Sequence, residues 1–140
     1  MLAAALPTSE QLLADIQATL PEATAAWLYG SAARGEMNAQ SDIDIAVLLP
    51  PALQYPPPWG LKARANELEN RWHRSVDLVS LRSVSCVLQK EILASGRRLF
   101  CADELATDLA ELNALSQYRA FNEAHAQEFE RIAAPGKVYA

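Results

Sequence analysis

Asp42 and Asp44 stand one residue apart, and a Gly30-Ser31 pair precedes them by ten intervening residues. Successive strand side chains point to opposite faces, so two aspartates at this spacing lie on the same side while Ile43 and Ile45 face a core. Carboxylates held side by side repel each other, and a fold tolerates them best with a cation between them. Mg²⁺ suits such hard oxygen donors, and the chemistry it serves is phosphoryl transfer.

The flanking residues must position this pair. Ala25-Ala26-Trp27-Leu28-Tyr29 is an apolar run ahead of Gly30, and the residues after Ser41 alternate as far as Leu49. The segment reads as strand, Gly-Ser turn, short helical excursion and second strand. Glycine allows a ligand close to the backbone, and N–H groups opening a helix attract anions. Arg34, one turn on, offers a charged fork to a phosphate. Gly30, Ser31 and Arg34 are therefore the expected nucleotide-binding residues. Gly-Ser or Asp-x-Asp alone is common; joined at this spacing between two strands, they are specific.

The stretch from Gly30 to Asp44, with Gly-Ser-x-Ala-Arg-Gly-Glu followed by Ser-Asp-Ile-Asp, resembles the nucleotidyltransferase superfamily that includes DNA polymerase beta. It is most similar to the minimal nucleotidyltransferase (MNT) antitoxins of prokaryotes. The resemblance covers about residues 10–100 and has no departure at the motif positions. It implies a third acidic residue on a later strand, matched by Asp77 in Ser75-Val76-Asp77-Leu78-Val79. Alone, Asp77 would be read as a surface acid; its place in an alternating run favours the catalytic role.

A coarse pass predicts α/β (α+β) architecture. The resemblance implies a small mixed sheet flanked by helices in a polymerase beta palm-like nucleotidyltransferase fold, and the pass adds a long C-terminal helix. Thr8 or Ser9 caps a first helix bearing Leu12, Leu13, Ile16 and Leu20. Strands are expected at 24–29, 42–49, 75–81 and 97–101. A second helix spans 59–73, and a third starts at Ser83 or Ser85 and stops at Gly96. The sheet should carry Asp42, Asp44 and Asp77 on one face, with helices covering the other. Residues 1–102 form the nucleotidyltransferase domain. Residues 103–140 form a C-terminal helix and tail, part of the same compact unit. That helix, about 103–131, carries Leu105, Leu109, Leu112, Leu115, Tyr118, Phe121, His125, Phe129 and Ile132 at steps of three or four. Part of this stripe should pack on the body. The distal half, with Tyr118, Phe121 and Phe129, is expected to contact another chain.

Composition narrows the classes. At 140 residues and 51% hydrophobic, the chain can bury one domain's core. It has no apolar run near the ~20 residues of a membrane span, and Met1–Leu6 lacks a basic leader region. Cys86 and Cys101 are too few for a disulfide scaffold or zinc site. A cytoplasmic protein is expected. The net charge is −5, yet residues 61–100 hold eight bases against four acids. That is read first as solvated helix faces, with a surface for a nucleotide or acidic partner as the sharper reading. An acidic chain without a basic, aromatic-lined stripe argues against direct nucleic-acid binding.

His73 and His125 lack metal-spaced partners and read as structural. Trp27 and Tyr29 read as core. Tyr55 and Trp59 read as anchors of a proline-rich loop, and Glu36 and Ser41 as buttresses of the motif. The resemblance implies catalysis by Asp42, Asp44 and Asp77, which would also hold Mg²⁺, with ATP as nucleotide donor. Little chain is left for an acceptor domain, so the acceptor is expected to be a protein. The family implies a HEPN-type ribonuclease toxin, bound in a hetero-oligomer and inactivated by AMP on a tyrosine. Two alternatives stay open: neutralisation of the toxin by binding alone, and nucleotidyl transfer to a small aminoglycoside-type molecule.

Overall fold

A computed structural model of the chain describes residues 6–36, 41–51 and 58–133, and of residues 58, 59 and 129–133 the backbone only. Helix α1 (Ser9–Thr19) starts at a capping box: Thr8 Oγ1 accepts from the Gln11 N–H, and Gln11 Oε1 accepts from the Thr8 N–H. Strand β1 (Ala25–Tyr29) is followed by a single helical turn, α2 (Gly30–Ala33), then β2 (Ile43–Leu48) and α3 (Pro58–Trp72). Strand β3 (Val76–Ser80) leads through a 3₁₀ turn to α4 (Cys86–Ser95), β4 (Arg97–Cys101) and α5 (Glu104–Ala133). Ser85 caps α4 by accepting from the Leu88 N–H.

The four strands form one mixed sheet in the order β3-β2-β1-β4. β1 is antiparallel to both neighbours, and β2 and β3 are parallel. All five β1 residues are buried, because helices cover both faces of the sheet's centre. On one face, Leu12 and Ile16 of α1 and Leu68 and Trp72 of α3 meet Leu28, Ile43, Ile45 and Val47. On the other, Ile92 of α4 and Ala110 of α5 meet Trp27, Ala46 and Leu48. Trp27 and Tyr29 are core, as their apolar setting indicates. The face bearing the aspartates is thus not free of helices; α4 and α5 cover its far half and leave the end at Asp44 and Asp77 accessible.

Two turn positions have different backbone reasons. Gly96 ends α4 with an ordinary negative φ of −76°. A Cβ there would collide with the Ile92 carbonyl and press on that of Leu28, so glycine serves close packing. His73, with φ of 55°, supplies the left-handed residue after α3. Its role is structural, as expected. Beside it, Glu69 accepts from the Val76 N–H at 2.9 Å and fixes the entry of β3.

Helix α5 has 30 residues, about 45 Å at the α-helical rise. Its body-facing stripe is made of small residues, Thr107, Ala110 and Ala114, which let its backbone lie close to α4 and the sheet. The Thr107 hydroxyl donates to the Asp103 carbonyl at 2.8 Å. The leucines expected to pack on the body instead face outward. Tyr118 is half-buried under Lys90, whose Nζ lies 5.3 Å from the ring centroid. Phe121 stacks on His125 with centroids 4.1 Å apart. Tyr55 and the side chains of Trp59, Phe129 and Ile132 lie outside the described residues.

Candidate active site

Strand register assembles the site. Asp44 pairs with Tyr29 across the antiparallel β1–β2 ladder and with Asp77 across the parallel β2–β3 ladder. Residues paired this way share a face. Tyr29, Asp44 and Asp77 therefore form a row across three strands, on the face that also carries Ala46 and Leu48. Asp42, just ahead of β2, lies two residues from Asp44 and adds to the charge around it. Asp42 and Asp77 are exposed, whereas Asp44 is half-buried. The strand alternation read from the sequence thus brings all three acids to one end of the sheet.

Crowding has an electrostatic consequence. Asp44's pKa is pushed up to about 6, first by burial, then by the charges of Asp77 and Asp42, with Arg34 pulling partly the other way. Among the described residues, no ion pair or side-chain hydrogen bond compensates the three carboxylates. The Tyr29 hydroxyl is driven upward by burial, then by Asp77 and Asp44, and stays protonated. Tyr29 is the site residue that composition hides: it looks like core because it is core, and only its register with Asp44 shows that it also borders the acids.

The Gly-Ser turn sits against the row. Gly30 has φ of 70°, and a Cβ on it would overlap Asp44 Oδ2. The turn's opening N–H groups have no side-chain cap, which leaves donors available to an anion. Arg34 is exposed, and its Nε donates to Glu36 Oε1 at 2.8 Å. That bond and charge raise the guanidinium pKa further, with smaller contributions from Glu91 and Asp44. Glu36 thus holds Arg34, the buttressing role its position suggests. The Ser41 carbonyl accepts from Arg74 Nη2 at 3.3 Å, tying the start of β2 to the segment before β3.

The chemistry of the donor set bears on a divalent cation. Among the described residues, no three His, Cys, Asp or Glu side chains close on one point. Asp44 is flanked by Asp42 two residues back along its own chain segment and by Asp77 on the neighbouring strand. Mg²⁺ is commonly held by one or two carboxylates, with phosphate oxygens and water completing its shell. A half-buried, uncompensated Asp44 between two like charges fits that arrangement.

Comparison with known proteins places this geometry. Residues 11–105 match the family model "Polymerase beta, Nucleotidyltransferase". Protein adenylyltransferase MntA of Shewanella oneidensis is 33% identical over 100 residues, spanning 71% of this chain and 69% of that protein. A crystal structure of a toxin-antitoxin with AMP-PNP superposes with a TM-score of 0.76 at 24% identity, covering 91% of this chain and 100% of that one. A structure of tri-AMPylated Shewanella oneidensis HEPN toxin in complex with MNT antitoxin gives a TM-score of 0.69 at 23% identity, over 90% of this chain and 96% of that one. At these identities the structural matches establish the fold. The family model and the sequence relative go further, and the chain belongs to the polymerase beta nucleotidyltransferase family.

Proposed function

We propose that this chain is an antitoxin that acts as a protein adenylyltransferase, moving AMP from ATP onto a tyrosine of a HEPN-type toxin and so silencing it. The observation that carries the reading is the Asp44–Asp77 pairing beside Asp42, uncompensated at the mouth of a Gly-Ser turn. Relatedness to a protein adenylyltransferase supports the choice of a protein acceptor.

Asp42, Asp44 and Asp77 are the residues that would hold Mg²⁺, which when bound neutralises the triphosphate and polarises its phosphorus. Ser31 and the uncapped N–H groups of its turn grip phosphate oxygens, with Arg34 at the rim. The tyrosine oxygen attacks the α-phosphorus in line, the bond to the bridging oxygen breaks, and pyrophosphate leaves. Asp77, exposed on the edge strand, takes the tyrosine proton. Asp44, the most buried of the three, is the fixed point of the row. A reaction that draws on ATP fits the cytoplasmic setting expected of the chain, and among the described residues no helix is long and apolar enough to cross a membrane.

Radiolabelled ATP tests the reading. Purified toxin incubated with the chain and Mg²⁺ should acquire label from [α-³²P]ATP and none from [γ-³²P]ATP. Asp42→Asn/Asp44→Asn should abolish the transfer. Label from the γ position would mean kinase chemistry, and no label from either would mean neutralisation by binding alone.

A further inference from the structure

Helix α5 has two apolar faces, and the fold uses one. At roughly 100° per residue, Leu105, Leu109 and Leu112 lie nearly opposite the buried stripe of Thr107, Ala110 and Ala114. They are 70%, 57% and 61% exposed, and Leu115 beside them is 50% exposed. A solvent-facing helix side normally carries polar residues. Consecutive leucines on one exposed side form a contiguous patch, which marks an interaction surface.

The charge around the patch selects its occupant. Asp103 precedes the helix, which carries three acids, Glu104, Asp108 and Glu111, ahead of its first base, Arg119. Asp103 caps the helix by accepting from the Ala106 N–H, and Glu111 pairs with Arg98 at 2.9 Å. Glu104 and Asp108 remain on the rim, exposed beside Leu105 and Leu112. A twofold contact with a second copy, centred on Leu109, would set Asp108 against its own counterpart. Like charges at the edge of an apolar seam disfavour that pairing. A partner with basic residues around an apolar ridge meets the same rim with attraction.

We infer that the Leu105–Leu109–Leu112 face is the primary docking surface for the acceptor protein, which presents an apolar ridge bordered by Lys or Arg. This rests on the proposed function, and it separates holding the acceptor from modifying it: α5 anchors the partner while the aspartate row acts on a residue that reaches the sheet end. A ribonuclease must carry basic residues to grip RNA phosphates, a charge that would suit this rim.

The test uses the full chain and its HEPN toxin. Leu105→Ser/Leu109→Ser/Leu112→Ser changes only exposed side chains, and circular dichroism should show a wild-type melting curve. Its Kd for the toxin should rise roughly 30-fold or more. Transfer at saturating toxin should approach the wild-type rate, while transfer at limiting toxin falls. Leu109→Glu is the single-site check should the triple variant misfold. Asp108→Lys should weaken binding at low ionic strength, with the difference fading in high salt. Unchanged toxin affinity in the leucine variants overturns this surface and leaves the proposed function standing. A wild-type dimer in solution that the leucine variants dissolve overturns it in favour of a second copy. Failure of the wild type to bind or modify the toxin removes the proposed function, and this surface with it.

Discussion

Gly30 and Asp44 are in such close approach that no side chain fits between them. The Gly30 backbone, at φ of 70°, lies against the Asp44 carboxylate, and a Cβ would overlap Oδ2. The glycine of this Gly-Ser pair therefore makes room for the carboxylate as well as for a ligand. Gly30→Ala combines a left-handed backbone with a steric clash and should cost on the order of 2–3 kcal/mol of stability. It should also displace Asp44 and lower nucleotidyl transfer. Urea unfolding is the check, and an alanine variant of wild-type stability would show that the turn can relax.

Asp44 makes both stability and activity depend on pH. Its folded-state pKa of about 6 lies above its unfolded value near 3.8. The native state then binds the extra proton between these values, so stability falls as pH rises from about 4 to about 6 and stays at the lower level above. Asp44→Asn should gain stability at pH 8, by about 1 kcal/mol once the partial exposure of the site is discounted. The gain should vanish near pH 4. Nucleotide binding with Mg²⁺ should move the opposite way and weaken below about pH 6, as Asp44 takes up its proton. Calorimetric titrations at pH 5.5 and 8 of equal affinity would contradict this.

The neighbours that raise Asp44 are ordered, and the order is testable. Asp77 acts more strongly than Asp42. Asp77→Asn should bring the Asp44 pKa down further than Asp42→Asn does, followed by the carboxyl ¹³C shift of Asp44 through a pH titration. A larger drop from Asp42→Asn would mean that the β2–β3 register does not set the field at Asp44.

Much of this was legible in the chain. Spacing and alternation placed Asp42 and Asp44 on one face; the family resemblance pointed to Asp77, and the alternating β3 pattern supported it. The four strands and the long last helix followed from periodicity and capping signals such as Thr8 and Ser85, and the mixed sheet from the family resemblance. What stayed hidden depends on pairing between distant elements. Tyr29 reads as a buried aromatic in any sequence window, and only the antiparallel register sets it beside an acid. Helical spacing in α5 shows an apolar stripe at Leu105, Leu109 and Leu112 but not which way it turns. The small residues Thr107, Ala110 and Ala114 won the inner face because they permit a closer approach than leucine would. Gly96 was legible as the end of α4, but its close contact with the Ile92 and Leu28 carbonyls was not.

Arg34 and Glu36 form an exposed pair, whose contribution to folding is small. Glu36→Gln should leave the melting temperature unchanged and release Arg34 to the nucleotide, so that Mg²⁺·ATP binds as well or more tightly. Arg34→Ala should weaken that binding. Equal affinity in both variants would place Arg34 outside the nucleotide site.

Intact-mass spectrometry of the toxin, after incubation with this chain, ATP and Mg²⁺, addresses the central claim most directly. The wild type should add about 329 Da or multiples of it, the mass of an AMP residue delivered by attack at the α-phosphorus. The Asp42→Asn/Asp44→Asn variant should remain able to bind the toxin and add nothing. An unmodified toxin that the wild-type chain nonetheless neutralises, or full protection of cells by the double variant, would contradict the account and make this chain an antitoxin that works by occlusion.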